Sequence, residues 1–459
     1  MLRLRLTVFL LALLVTAPGV HAQDTVIVNL SEAIARAMEL SPDVRIEEAQ
    51  ARFAEGRLGL ARSSRFLTQA DATTAHAVAP GIDNPNGTAT DRLYLDPDVR
   101  NDWESLRPYS RLDVDVIQPL WTWGQLSRSI DAARFGLEVE REAVASKQLE
   151  VAVRTGELYY TVLLLDAMDR LTGEAEDAVA RARREVERML EEGAEDVGDA
   201  DLFQVLITEQ EVRRRIVRVQ EQSRTARTGL RRQLMLPEHA VVTVADRFLE
   251  PIPLVLDSLS TFQTLALAHR PELAQAKAGI EARRALVDVA RSDFYPKLVW
   301  GVHAHYSGTT GRYRQRNPYV GDAFLSRSME TGLALRLQLN FAQTRSKVTQ
   351  ARANLEEVRH QETGARELIL FEVEEAWRTV RIRQTELEAA EAALLLSREW
   401  LQTEYVNFDV GLGDTEDLIK AVQANLELQA GRHQAVFDLN VAILRLHAAT
   451  GVLEPVMAY

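Results

Sequence analysis

His303 and His305 come closer to a chemical site than any other residues of this chain. On a strand their spacing of two puts both imidazoles on one face, where they could ligate a metal. Two histidines leave a metal under-ligated and no third ligand is evident, so solvated histidines on a polar face are the better reading. Acids gather after two turn signals. Glu192-Gly193-Ala194-Glu195-Asp196-Val197-Gly198 is followed by Asp199 and Asp201, and Val410-Gly411-Leu412-Gly413-Asp414 is followed by Asp417. Glycine ends one helix, and an acid suits the N-terminus of the next. The sequence holds no Gly-rich phosphate loop, nucleophile elbow or metal-ligand cluster. It therefore reads as a non-enzyme without cofactor or metal.

The elements that must carry these residues follow from proline placement. No proline lies between Pro119 and Pro237, nor between Pro318 and Pro455. Proline breaks helix interiors, so very long helices can run in both tracts. Leu126, Ile130, Ala133, Leu137, Val144, Val151 and Leu158 fall at steps of three, four and seven in the first. Val348, Ala351, Leu355, Val358, Leu368, Phe371 and Trp377 keep a similar rhythm in the second. Such seams approach coiled-coil spacing. Interrupted by the two turns, the tracts become helical hairpins over about 123–236 and 342–450, with long arms on the order of 100 Å. Shorter helices over Asp43–Ser64 and Glu272–Asp293 precede the strands.

Between the helices lie candidate strands at about 66–78, 109–118, 297–306 and 329–340. Leu112, Val114 and Val116 alternate with Arg111, Asp113 and Asp115. Leu298, Trp300, Val302, Ala304 and Tyr306 alternate with Val299, Gly301, His303 and His305. Leu333, Leu335, Leu337 and Leu339 alternate with Ala334, Arg336, Gln338 and Asn340. Apolar-out and polar-in is the pattern of an outer-membrane barrel strand. Four strands cannot close a barrel, which takes about eight, so several chains must share one. Gly81–Pro108 and Ser307–Ser328, with Arg312, Arg314 and Arg316, read as exposed polar loops at one end. Trp121 and Trp123, at a strand-to-helix junction, suit either a membrane-interface belt or packing anchors.

The order helix, strand, loop, strand, long helix, turn, helix occurs twice. Ala37-Met38-Glu39-Leu40-Ser41-Pro42-Asp43-Val44 is echoed by Ala266-Leu267-Ala268-His269-Arg270-Pro271-Glu272-Leu273, and Gln118-Pro119-Leu120-Trp121 by Gln338-Leu339-Asn340-Phe341. The chain of 459 residues is thus divided into a signal peptide at 1–22 and two repeats at 23–257 and 258–459. The signal has basic Arg3 and Arg5, an apolar core from Leu6 to Val15 and a Val20-His21-Ala22 cleavage site. No later stretch approaches the roughly 18 apolar residues of a membrane helix, so entry into a membrane would be as a β-barrel. There are no cysteines, which excludes disulfides, thiolate metal sites and a lipid-modified N-terminal cysteine. The formal charge of −13 argues against nucleic acid as partner.

Together these residues resemble the TolC-like outer-membrane efflux protein family over essentially the whole mature chain. The marks are Leu30-Ser31-Glu32-Ala33-Ile34 leading to Ser41-Pro42-Asp43-Val44, and Ala268-His269-Arg270-Pro271-Glu272-Leu273 followed by Phe294-Tyr295-Pro296-Lys297-Leu298. Gln118-Pro119-Leu120-Trp121 looks like the family's strand exit, and Val410-Gly411-Leu412 with Asp417-Leu418 like its hairpin tip. The resemblance implies a mixed α+β membrane protein, trimeric, with four strands per chain. Three chains would form a 12-stranded outer-membrane β-barrel, surrounded by outer-membrane lipid. It would continue into a 12-helix periplasmic α-barrel of coiled-coil hairpins.

It implies a homotrimeric exit duct of a tripartite efflux or type I secretion system, served by a periplasmic adaptor and an inner-membrane pump. Asp417 matches the position of an acidic ring at the closed tip, with Asp414, Asp201 and Asp199 as further gate residues. Lys420 stands where the family often has a second acid, which makes the ring a mixed one. Gly193, Val410, Gly411 and Leu412 match the adaptor-contact tips, although the glycines also serve the turns themselves. A periplasmic coiled-coil adaptor or scaffold is the alternative reading; two hairpins and apolar outer strand faces favour the duct.

Overall fold

The computed structural model describes residues 25–66, 68–82, 101–192, 198–312, 321–409 and 415–453. The expected signal peptide at 1–22 and the hairpin-tip residues Gly193, Val410, Gly411, Leu412 and Asp414 lie outside them, as do Arg314 and Arg316.

In chain order the elements are β1 (Thr25–Val28), α1 (Leu30–Leu40), α2 (Pro42–Ser63), β2 (Gln69–Ile82), β3 (Asn101–Trp121), α3 (Gln125–Glu191) and α4 (Asp199–Gln233). Then follow β4 (Val241–Val244), α5 (Leu259–His269), α6 (Pro271–Ser292), β5 (Lys297–Thr309), β6 (Ser326–Arg336), α7 (Phe341–Asp409) and α8 (Thr415–Thr450). Local chemistry accounts for the boundaries. Asn29 Oδ1 accepts from Glu32 N at 2.8 Å and Glu32 Oε2 accepts from Asn29 N at 3.3 Å, a capping box that starts α1. Pro42 and Pro271 each sit at the first position of a helix, where the missing N–H costs nothing. The residue before each proline, Ser41 or Arg270, is extended and ends the preceding helix. Among the described residues no helix is long and apolar enough to cross a membrane.

The chain divides into two compact units. The first comprises Met1–Glu48, Ala143–Leu273 and Ala365–Tyr459. Its core gathers Ile34, Val151, Tyr159, Val162, Leu230, Val373, Val380, Ile443 and Leu444, all 3% exposed or less. Here β1 pairs in parallel with β4, Thr25 opposite Val241. Polar anchors fasten the segment after β4 to the helices. Tyr159 donates to Asp246 Oδ2 at 2.7 Å, and fully buried Asn440 donates to Glu250 O and accepts from Ile252 N, both at 2.8 Å. Trp377 Nε1 donates to Asp257 O at 2.9 Å.

The second unit comprises Ala49–Glu142 and Ala274–Gly364. It contains an antiparallel sheet in the order β2-β3-β5-β6. Asp113 lies opposite Thr73 on one side and His305 on the other; Asp115 lies opposite Asp71 and His303. The ladder shifts at Pro80/Gly81 and between Pro119 and Trp121, where prolines have no N–H to give.

Several expectations are corrected. The first strand runs over Gln69–Ile82 rather than 66–78, and the second begins at Asn101, so 101–108 are strand and not loop. β5 extends to Thr309 and β6 runs from Ser326 to Arg336, ending before Leu337 and Leu339. The chain leaves that strand because Asn340 opens α7: its carbonyl accepts from Gln343 N at 3.0 Å and Thr344 N at 3.2 Å. Leu368 and Phe371 of α7 are exposed; the buried row there is Ile369, Val373, Val380, Leu387 and Leu394. Arg312 is not an exposed loop residue at all.

Candidate functional site

At the start of α4, Asp199 is exposed and Asp201 half-buried. Asp201 Oδ2 accepts from Gly198 N at 2.9 Å, so this acid satisfies a free N–H of its own helix end. At the start of α8, Glu416, Asp417 and Lys420 are exposed. Lys420 Nζ lies 2.8 Å from Glu416 Oε1 and 3.4 Å from Asp417 Oδ1. One ammonium is shared by two carboxylates, and the hydrogen bond it donates to Glu416 is the main reason its pKa is raised. Within the chain Lys420 is thus a member of an ion cluster with Glu416 and Asp417. Glu416 was the member sequence reasoning passed over, although its spacing of four from Lys420 is the spacing of helix ion pairs.

Ile419 joins the two helix starts. It packs with Leu202, Leu190 and Ala182 against buried Val179, Val186 and Val205, so the first turns of α4 and α8 meet one apolar cluster. Arg215 and Glu427 add a contact at 3.6 Å. Such exposed pairs stabilise little; their effect is to set local charge. Asp417 and Asp201 are therefore brought into one region.

In the sheet-bearing unit, one face is polar. His303 Nδ1 lies 2.8 Å from Asp115 Oδ1, and His305 Nδ1 lies 2.7 Å from Asp113 Oδ1. His305 Nε2 meets Ser326 at 3.0 Å, and Arg111 pairs with Asp113. These histidines are hydrogen-bonded to cross-strand aspartates, and no group of three or more metal-ligating residues occurs among the described residues. The opposite face carries Leu112, Trp300, Tyr306, Met329, Leu333 and Leu335, all exposed; Met329 and Leu335 are 73% and 72% exposed.

At the far end of this sheet Arg312, with its side chain fully enclosed, makes a two-pronged pair with Asp322 at 2.7 and 2.9 Å. It also donates to Pro80 O, Gly81 O and Asn101 Oδ1, and its guanidinium lies over the Phe324 ring. It fastens the end of β2, the start of β3 and the β5–β6 connection together. Its partners are scattered through the sequence, so no local signal marks it. At the other end of β3, Trp123 with φ 52 and Gly124 with φ 84 turn the chain into α3. Trp123 stacks on Tyr295 at 5.0 Å, meets Trp121 edge-on at 6.0 Å and donates to Pro296 O at 2.8 Å. It is a packing anchor.

Residues 263–452 match the family described as Outer membrane efflux protein. The alkaline protease secretion protein AprF of Pseudomonas aeruginosa is 25% identical over 371 residues, covering 78% of this chain and 73% of that protein. Two solved structures share the fold. The outer-membrane protein VceC of Vibrio cholerae superposes with a TM-score of 0.70 at 18% identity, covering 92% of this chain and 96% of its own. The outer-membrane channel CmeC of Campylobacter jejuni gives 0.71 at 14% identity, covering 95% and 90%.

Proposed function

We propose that this chain, TolC-like in sequence over its second half and in fold over nearly its whole length, is one subunit of a homotrimeric exit duct of the outer membrane. Three chains close a 12-stranded barrel in the outer membrane, and their hairpins form a 12-helix tunnel in the periplasm. The chain consists of two repeats, 23–257 and 258–459, behind an export signal. Cargo arrives from an inner-membrane pump through a periplasmic adaptor, in efflux or in type I secretion. The name of the relative AprF concerns secretion of a protease, which favours keeping the secretion branch.

The observation that carries this reading is the four-stranded sheet. Its two outermost strands, β2 and β6, pair with no further strand among the described residues, and one face presents exposed Leu, Met, Trp and Tyr side chains. An open edge invites another strand, and an apolar outer face suits lipid. Neighbouring chains and the bilayer supply both. A water-soluble adaptor or scaffold would leave this face unfavourably wet.

At the helix starts, Asp417, Glu416 and Lys420, with Asp414, Asp199 and Asp201, line the periplasmic end of the tunnel. Gly193, Val410, Gly411 and Leu412 form the tips that meet the adaptor. The chain's own residues do no bond chemistry on the cargo; their charges bias which ions pass, and the pump supplies the energy and most of the selectivity. Purified full-length protein in planar bilayers tests this. The account expects discrete ion-conducting steps, and Asp417→Ala should raise conductance or change ion selectivity. Conductance and selectivity both unaltered by Asp417→Ala would remove this residue from the gate.

A further inference from the structure

The hairpin of α7 and α8 contains a buried polar chain in its half nearer the start of α8, at a level where the described residues of the α3 and α4 hairpin have an apolar seam. Along α7, Val373, Val380, Leu387 and Leu394 recur every seven residues and are all buried, the spacing of a coiled-coil seam. Three residues after Leu394 stands Ser397, 4% exposed, and it meets Asn425 of α8, 5% exposed. Asn425 Nδ2 donates to Ser397 Oγ at 2.9 Å. Ser397 Oγ donates to Leu394 O at 2.8 Å, and Gln429 Nε2 donates to Asn425 Oδ1 at 2.6 Å. At the corresponding level of the other hairpin the seam is filled by Val179, Val186 and Val205, and the cross-helix pair there, Arg183 with Glu209 at 3.3 Å, lies in solvent; its less exposed cross-helix contacts, Arg227 with Asp166 at 2.6 Å and Gln233 with Thr155 at 3.3 Å, lie toward the other end of the helices.

An apolar seam tolerates sliding, because a slip of one turn exchanges one apolar neighbour for another. A buried amide does not, since a slip strands its donor away from water and from any acceptor. A single polar residue in a coiled-coil seam accordingly fixes register at some expense in stability. Asn425 lies eight residues beyond Asp417, about 12 Å along α8, and a one-turn slip would displace Asp417 by about 5.4 Å.

We propose that the hydrogen-bonded chain Ser397–Asn425–Gln429 pins the register of the second hairpin and so sets the level at which Glu416, Asp417 and Lys420 stand. These are positioning residues. The consequence at the pore rests on the duct reading above; the pin itself does not.

The sequence has no cysteine, so introduced pairs report without background. Arg432 Nη2 lies 3.0 Å from Glu391 Oε1 across this hairpin. Glu391→Cys with Arg432→Cys, joined by a bifunctional thiol reagent with the reach of that ion pair, therefore reports the present register, and Glu391→Cys with Leu428→Cys reports a one-turn slip. In full-length protein in native membranes, the reagent should cross-link the first pair and leave the second nearly free. Asn425→Leu should raise the yield of the slipped cross-link about fivefold or more, the lower end of what stranding one buried amide imposes. Ser397→Ala with Asn425→Leu, which removes both ends of the cross-helix hydrogen bond and leaves only half-buried Gln429 to turn to water, should do the same and covers the case in which the single variant fails to fold. In bilayers Asn425→Leu should split the conductance into several levels, and cross-linking Glu391→Cys to Arg432→Cys with the same reagent should restore one. An unchanged slipped yield in either variant would overturn the pin. Cross-links that behave as stated in a protein that conducts no ions would instead overturn the duct and leave the pin standing.

Discussion

Replacing Lys420 by glutamine should make the channel more cation-selective, by an amount the geometry fixes. Its ammonium is shared between Glu416, at 2.8 Å, and Asp417, at 3.4 Å. In each chain these three side chains sum to one negative charge, and Lys420→Gln makes it two. In a trimer the ring goes from three to six negative charges. If the added charges stand roughly 10 Å from the axis, each shifts the local concentration of a monovalent ion about twofold in water, and three together about eightfold. At 0.1 M salt the Debye length is about 10 Å, so screening reduces this to roughly twofold; at 0.01 M it recovers to about fourfold or more. The assay is the reversal potential of the purified channel under a salt gradient, measured at both ionic strengths. The variant should gain cation preference, and the gain should grow as salt is lowered. An unchanged reversal potential at 0.01 M would mean that this cluster does not face the ion path.

Two further outcomes follow from other parts of the molecule. Arg312→Ala would leave Asp322 enclosed without its partner and should lower stability by about 3–5 kcal/mol, seen as a lower Tm and new protease cuts near the β5–β6 connection; a Tm equal to that of the unaltered protein would refute the clamp. His433 and His447, in the helical unit, both have pKa values held below the ordinary 6.5, chiefly by burial. The unfolded chain therefore takes up their protons first, so their contribution to stability is complete above about pH 6.5 and is lost as pH falls below it, by at most about 1.4 kcal/mol per pH unit for each. Thermal melts between pH 7.5 and 5 should show the decline, and His433→Gln with His447→Gln should flatten it; an equally steep decline in that double variant would exclude them.

Much of this architecture could be read from residue order because its signals are local. The proline-free tracts, the Ser41-Pro42 and Arg270-Pro271 junctions and the alternation in Leu112–Val116 and Leu298–Tyr306 each act within a few residues. The helix starts carrying Asp201 and Asp417 were legible for the same reason, since glycine and acid mark a helix end and the next beginning. The errors came where tertiary contacts decide. Val348 and Leu355 of α7 are buried as the rhythm expects, whereas Leu368 and Phe371 are exposed and Ile369 and Val373 buried in their place, because the rotation of a long helix is set by what it packs against. Leu337 and Leu339 alternate like a strand, yet Asn340 caps α7 and the ladder has already ended. Arg312 looked like a loop cation because its partners, Pro80, Gly81, Asn101 and Asp322, come together only in the folded sheet. Asn425 was visible as a polar residue, but only burial against Ser397 distinguishes it from the many solvated ones.

The central claim is that several copies of this chain share one barrel and one tunnel. Single-particle electron microscopy of the protein, purified in detergent from the membrane fraction, tests it most directly. The account predicts particles with three-fold symmetry, a detergent belt around one end and a long tapered tube projecting from it. A detergent-independent monomer or a compact dimer would contradict it.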